Sequence, residues 1–453
     1  MTGAWRLAAR NLRRNRRRNL ATGLAIALGF AGLSILGGYL TRVELFLRTN
    51  AVYLQHGGHI AVYRTGGLER AAARPARHAL DVDLQARIRD AIAADARVAF
   101  SARYLRGMGL AGNGCRTVPF VALGIEPGAA ERIVVHPDVG YISADFVRPV
   151  RGRPLHEARD VPGAVGLAAG LARLLGKSRV HDDFGPAAPA IVVPDCTAPD
   201  ASAQMAGDAN VQLAALSFDG ALSAIDGEVV SVFHTPSAET EDQTVHTALG
   251  TLQDLYGTDA VTYVAVFLNQ ARDAGPLARD LRRRFAAAGL PLEVFTYEDE
   301  RLNPYYAGSM AFLASMVIFI LILVSAVVAL GVMNTSTLTV LERSLEIGTL
   351  RAIGYTRRQV TRLFVREMAL LAALGLALGL LLATTVSVAV AIANIRVTPP
   401  GVPGSLRLLL TPGPVVYAAV GGLLLPLALL VTWGVARRSV RRGTADLLTA
   451  TRG

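Results

Sequence analysis

Histidine, cysteine and glycine–lysine clusters are the residues here whose types and spacing could carry chemistry. His56-Gly57-Gly58-His59 and His181-Asp182-Asp183 come nearest to a metal-binding spacing. A zinc site needs three or four ligands on a rigid frame, and neither group has a third or fourth partner. Surface or loop histidines are therefore the expectation, and no metal site is assigned. Gly170-Leu-Ala-Arg-Leu-Leu-Gly176-Lys177-Ser178 imitates a phosphate-binding loop, but five residues separate its glycines where the motif needs four. The segment 163–176 also reads as a helix, so it is rejected as an ATP site. No nucleophile elbow and no HExxH helix occurs. The sequence thus assigns no catalytic residue and no bound cofactor, and an enzyme is the last of the readings. Cys115 and Cys196 are the two cysteines. They could pair in an oxidising compartment or stand apart as two small residues.

The elements that would position such groups are mostly apolar. The chain is 52% hydrophobic and 18% charged, and four windows lack charge for longer than the roughly 20 residues that cross a bilayer core. They lie between Arg18 and Arg42, Arg301 and Glu342, Glu367 and Arg396, and Arg407 and Arg437. We expect transmembrane helices at 20–41, 305–335, 368–395 and 413–436. The first could be a signal peptide, but it is long and lacks a convincing cleavage site, so it reads as an uncleaved span.

Residues 42–304 between the first two spans are large enough for their own core. Strands are expected at His59–Tyr63, Val98–Leu110, Val118–Ile125, Val211–Phe218, Glu228–Phe233, Val261–Leu268 and Glu293–Tyr297. Helices are expected at 42–56, 163–176, Glu241–Leu255 and Ala274–Ala288. The fold class is a four-helix α-helical membrane protein with a large extracytoplasmic α+β domain between its first and second helices.

The net charge of +11 suggests nucleic acid until it is located. Residues 42–301 hold 26 Lys and Arg against 31 Asp and Glu; the stretch up to Arg18 has 7 Arg and no acid. Residues 336–367 have 6 Arg and 3 Glu, and the tail after Ala436 has 5 Arg and 1 Asp. The excess sits at span ends, which is the positive-inside bias. Both termini and 336–367 should therefore face the cytoplasm, with the charge meeting anionic lipid and no nucleic acid. Residues 1–19 would be a basic interfacial helix, 396–412 a short outer loop and 437–453 a basic tail. Gly375-x-x-x-Gly379 could let another helix approach closely, within or between subunits. In the loop, Gly348 and Gly354 would break the chain into two short helices, Glu342–Ile347 and Thr356–Glu367.

Glu342-Arg343-Ser344-Leu345-Glu346-Ile347-Gly348, Leu350-Arg351-Ala352-Ile353-Gly354, Glu367 and the glycine-rich third span resemble the FtsX/MacB-type permeases of ABC transporters, including the LolC/LolE branch. The opening Leu7–Arg18 and the span layout resemble the family as well. The resemblance implies a MacB-like periplasmic core domain at 42–304 and a bacterial inner-membrane protein with both termini cytoplasmic. It implies a coupling loop of Glu342, Arg343, Leu345, Glu346, Ile347, Gly348, Leu350, Arg351, Ala352, Ile353, Gly354 and Tyr355, lodged in a separate ATPase. That ATPase, in two copies, would bind ATP and Mg2+, since no ATPase domain is fused here. A second permease chain, identical or related, is implied as partner, with a periplasmic adaptor or cargo protein. The function expected is mechanotransmission: extraction or export of an amphiphilic cargo such as a lipoprotein. An FtsX-like transmitter that activates a cell-wall hydrolase, and a MacB-like efflux system with an adaptor, are the alternatives.

Overall fold

The computed structural model describes residues 16–142, 148–185, 193–398 and 406–440. The expected basic helix 1–19 lies largely outside the described residues, as do most of the tail 437–453 and the middle of the loop 396–412. The chain divides into two compact units: Met1–Glu44 with Met310–Ile395 and Leu408–Gly453, and Leu45–Ser309 with Arg396–Arg407.

Four helices are long and apolar enough to cross a membrane. They are α1 (Arg16–Thr49), α5 (Pro304–Glu342), α7 (Arg357–Ala393) and α8 (Pro414–Ser439). A π-helical turn, Asn50–Leu54, continues α1. Their shared core is Ile26, Phe30 and Leu33 of α1, Val328 and Val332 of α5, Met368, Leu371 and Ala372 of α7, and Val420, Leu424 and Ala428 of α8. Close approach depends on glycine. A Cβ on Gly375 would lie 2.9 Å from the Gly23 carbonyl oxygen, and one on Gly379 would lie 2.6 Å from that of Ala27. The Gly375–Gly379 pair therefore seats α7 on α1 of the same chain. Buried hydroxyls find each other across helices: Thr22 Oγ1 and Thr335 Oγ1 are 2.5 Å apart, Ser336 Oγ and Thr432 Oγ1 3.1 Å.

Helices α5 and α7 overrun the expected spans. At 39 and 37 residues they extend about 55 Å at 1.5 Å per residue, well beyond a hydrocarbon core of roughly 30 Å. Residues 336–367 are consequently helical except for short breaks, and only α6 (Ser344–Ala352) is a separate helix within them.

The second unit is built on nine main strands: β1 (Ile60–Arg64), β2 (Val98–Gly112), β3 (Thr117–Ile125), β4 (Ala164–Ala168), β5 (Asn210–Leu216), β6 (Leu222–Phe233), β7 (Thr244–Ala248), β8 (Tyr263–Leu268) and β9 (Leu292–Thr296). Helices α2 (Val82–Ala93), α3 (Leu249–Tyr256) and α4 (Ala274–Ala287) pack against them. Strands β9, β1, β8 and β2 run antiparallel in that order. From β2 the pairing continues through β3, β7, β4, β6 and β5 and returns to β2, where Leu110–Gly112 meet Gln212–Ala214. Six strands thus close a ring. Gly107 and Gly124 leave room for α3: a Cβ on Gly107 would strike the Tyr256 ring, and one on Gly124 would press on Leu252. The side chain of Asp81 caps α2 by accepting from Leu84 N at 2.9 Å.

Two expected helices are corrected. Segment 163–176 is β4 followed by a short helix, Ala169–Leu174. Segment Glu241–Leu255 is β7 followed by α3. Both strands are interior, β4 between β6 and β7, so pairing on two sides overrides the helical preference of Ala and Leu. The rejected phosphate loop has its lysine buried: Lys177 Nζ lies 2.5 Å from Asp208 Oδ1. Of the histidines expected at the surface or in loops, His56 and His59 do lie in a loop and His181 is part-exposed. His56 and His59 are both buried; His56 Nδ1 is 3.3 Å from the Tyr104 hydroxyl, and His59 Nδ1 accepts from Leu268 N at 3.1 Å. No group of three or more metal-ligating side chains occurs among the described residues. Cys115 and Cys196 form a disulfide with their Cα atoms 5.4 Å apart.

Candidate coupling loop

Between α5 and α7 the chain makes two tight breaks around α6. The first is at Arg343, whose backbone leaves the helical region and caps α6. The second is a Schellman turn. Gly354 adopts φ +102°, Tyr355 N donates to Leu350 O at 3.0 Å, and Gly354 N donates to Arg351 O at 3.1 Å. Helix α7 then restarts with a capping box: Gln359 N donates to Thr356 Oγ1, and Thr356 N donates to Gln359 Oε1. Gly348, expected to break the chain, instead lies buried inside α6. Only Gly354, at positive φ, is a true stop.

The loop is anchored by one arginine. Arg343 Nη1 donates to both carboxylate oxygens of Glu367 at 3.0 and 2.8 Å, and its Nε donates to Glu346 Oε2 at 2.7 Å. Its guanidinium carbon stands 5.2 Å from the centre of the Phe364 ring. The side chains of Arg343 and Glu367 are 16% and 10% exposed, and that of Glu346 is 48% exposed. Beside this pair lies a cavity of about 170 Å³ lined by polar residues that include Asn19, Ser336, Thr339 and Thr432. An apolar cluster of Val340, Ile347, Val360, Phe364, Ala436 and Val440 fixes the rear of α6.

What remains outward is the opposite face. Leu345, Ile353 and Tyr355 are exposed, Ile353 by 70%. Glu342, Glu346, Ala352 and Gly354 are exposed with them, while Leu350 and Arg351 are half-buried; Arg351 Nη1 reaches the Val440 carbonyl at 3.5 Å. The residues singled out from sequence therefore split in two. Arg343, Ile347 and Gly348 hold the loop, and Leu345, Glu346, Ile353, Gly354 and Tyr355 present a surface. Reading the motif alone missed Phe364 and Val440, which belong to the support; the helical spacing Val360–Phe364–Glu367 was the available signal.

Such a surface joins the exposed side chains of Leu345, Ile353 and Tyr355 to the exposed carboxylates of Glu342 and Glu346. Its chemistry is recognition: apolar side chains at the tip of a helix whose position is locked from behind.

Comparison with known proteins gives a match on this same stretch. Residues 318–443 match the family model "FtsX-like permease C-terminal". Over 122 residues the chain is 30% identical to the ABC transporter permease YtrF of Bacillus subtilis (strain 168), covering 27% of this chain and 26% of that one. The chain thus spans about a quarter of that relative's length. Among solved structures, the extracellular domain of the noncanonic ABC-type transporter YknZ from Gram-positive bacteria aligns over 52% of this chain and 99% of its own, at 15% identity and TM-score 0.31. The periplasmic region of MacB from Actinobacillus actinomycetemcomitans aligns over 53% and 90%, at 12% identity and TM-score 0.31. Residues 318–443 thus carry an FtsX-like permease C-terminal domain, and the chain is homologous to an ABC transporter permease over 122 residues.

Proposed function

We propose that this chain is the permease subunit of an ABC transporter that works by mechanical transmission. A separate ATPase, in two copies, seats on the outward face of α6, and a second permease chain, identical or related, completes the assembly. In this reading 336–367 and both termini face the cytoplasm of a bacterial cell and residues 42–304 lie in the periplasm. ATP-driven closure moves α6. Because Arg343 and the apolar cluster tie α6 to α5, α7 and α8, the stroke passes to the spanning helices. The work done on the far side is extraction or export of an amphiphile, lipoprotein or lipid-like, in the manner of the LolC/LolE branch. The observation that carries this reading is the division of α6 into a locked rear and an exposed front on which Leu345, Ile353 and Tyr355 stand beside Glu342 and Glu346.

The test is made on the tagged full-length chain purified from its native membrane. The wild-type eluate should hydrolyse ATP. Leu345→Asp with Ile353→Asp places two charges on the front without touching the anchor, and should lower that co-eluting activity about tenfold, the loss expected when about 1.4 kcal/mol of contact is removed. Unchanged activity in the double variant, or no nucleotide hydrolysis in the wild-type eluate, would refute the assignment.

A further inference from the structure

One face of the α+β unit carries a cation at one end and an apolar platform beside it. Strand side chains alternate, so Tyr104, Arg106, Met108 and Leu110 of β2 share that face. Tyr104 is buried, and its ring stacks on Tyr263 at 5.1 Å, which stacks on Tyr63 at 5.1 Å. Arg106 comes next and is exposed, with its guanidinium carbon 5.2 Å from the centre of the Tyr263 ring. No carboxylate pairs with it among the described residues. Another neighbour is His56, whose ring lies 5.6 Å from that of His246. Burial pulls these imidazoles down to about 3 and about 4, and pushes the three phenols up. All five groups are therefore neutral near pH 7. Glu126, the acid acting on Tyr104, is taken by Arg103 at 2.5 Å. The Tyr63 hydroxyl is buried with no hydrogen-bond partner. The positive charge of Arg106 is thus not offset by the residues around it.

Beyond Arg106 the face turns apolar. Met108 stands opposite Val121 and Leu110 opposite Pro119. Leu110 also stands opposite Ala214, which stands opposite Ala224 on β6. Leu216, two residues past Ala214, is paired with Leu222. Directly paired residues lie on the same side of a sheet, so these side chains form two rows across four strands. Met108, Leu110, Val121, Leu216 and Leu222 are all exposed. From Arg106 to Leu110 the strand rises about 13 Å. The apolar area is on the order of a few hundred Å², below the roughly 800 Å² per partner of a stable subunit interface. An apolar strip of this size that begins at an uncompensated guanidinium suits a small molecule with one charged end.

We propose that this face binds a single-chain anionic amphiphile, with its headgroup on Arg106 and its apolar chain along Met108, Leu110, Val121 and the Leu216–Leu222 pair. The proposal deepens the reading of the chain as a handler of amphiphiles and rests on it for the biological role.

The experiment uses the full-length chain in a neutral maltoside detergent, without any ATPase, and a dodecanoate probe bearing a photoreactive diazirine. Labelled peptides are mapped by mass spectrometry. Labelling should concentrate on the segments bearing Met108–Val121 and Leu216–Leu222. Dodecanoate and dodecyl phosphate should both compete, and their relative strength distinguishes a carboxylate from a phosphate headgroup; dodecyltrimethylammonium should not compete. Arg106→Gln should cut labelling about tenfold, as loss of one charge-assisted contact does. Leu222→Ser, at an exposed position, should cut it severalfold and guards against an unfolded first variant. Labelling confined to the spanning helices, equal competition by the cationic detergent, or indifference to both substitutions would overturn the proposal. Because no nucleotide is involved, that result would leave the ATPase retention measured through α6 untouched.

Discussion

The anchor of α6 can be weighed against its neighbour by magnitude. Arg343 makes two ion pairs, one to Glu367 and one to Glu346, with bonds of 2.8 and 2.7 Å. Distance alone would rank them equal, but burial does not. Glu367 is 10% exposed and Glu346 48% exposed. Removing Arg343 takes an ion-pair partner from a nearly buried carboxylate, and removing Glu367 leaves a nearly buried guanidinium with the solvent-facing Glu346 as its ion-pair partner; breaking a buried pair costs about 3–5 kcal/mol. Glu346 faces solvent, where a pair contributes about 0–1 kcal/mol. Glu367→Gln should therefore destabilise the loop by several times more than Glu346→Gln. The Arg343→Met, Glu367→Leu double variant should recover much of the loss, because it leaves neither charge behind. The assay is limited trypsinolysis of the detergent-solubilised chain at Arg351, Arg357 and Arg358, followed with thermal unfolding. Cleavage should accelerate strongly in Glu367→Gln and remain near the wild-type rate in Glu346→Gln and in the double variant. Equal acceleration in the two single variants would refute the argument from burial.

Three further outcomes follow from the packing and electrostatics. Replacing Cys115 and Cys196 by serine opens a loop with a sequence separation of 81; the chain-entropy relation puts the loss at about 4.5 kcal/mol, to be read from denaturant unfolding with and without reductant. Gly379→Ala should lower the thermal midpoint because its Cβ would lie 2.6 Å from the Ala27 carbonyl oxygen, whereas Gly32→Ala, with nothing within 4 Å, should not. Burial pulls the His59 imidazole down to about 4 and that of His56 to about 3. The unfolded chain therefore binds protons that the folded one refuses. Stability should be complete above about pH 6.5 and fall toward pH 4 by up to about 1.4 kcal/mol per pH unit for each histidine; equilibrium unfolding across that range checks it, and His59→Gln should flatten the slope.

The spans were legible because nothing else explains long runs without charge, and the loop motif was legible because Glu342 and Glu367 bracket a run of arginines. The depth of the helices was not. Thr356–Glu367 read as a short helix of its own, yet it runs without a break into the third span as the single helix α7, started by the capping box at Thr356. The grip of Arg343 on Glu367 joins residues 24 apart, one beyond the end of α5 and the other within α7, and no local pattern signals that. In the second unit, alternation found β1, β2 and β3, while Ala164–Ala168 and Thr244–Ala248 were hidden by helix-forming neighbours. Their identity as strands lies in their partners, β6 and β3, far away in sequence. Burial of His56 and His59 was likewise invisible, because the glycines between them suggest a loop without saying what covers it.

The ring of strands has a consequence for solubility. A sheet that returns on itself offers little open backbone to a stray chain, and open backbone is what seeds edge-to-edge aggregation. On the antiparallel arm the outermost strand is β9, and there Arg282 of α4 donates twice to the Val294 carbonyl, at 2.8 and 2.6 Å. That guanidinium fills a position a foreign strand would need. Neighbouring copies of such a unit can therefore collide repeatedly without knitting together.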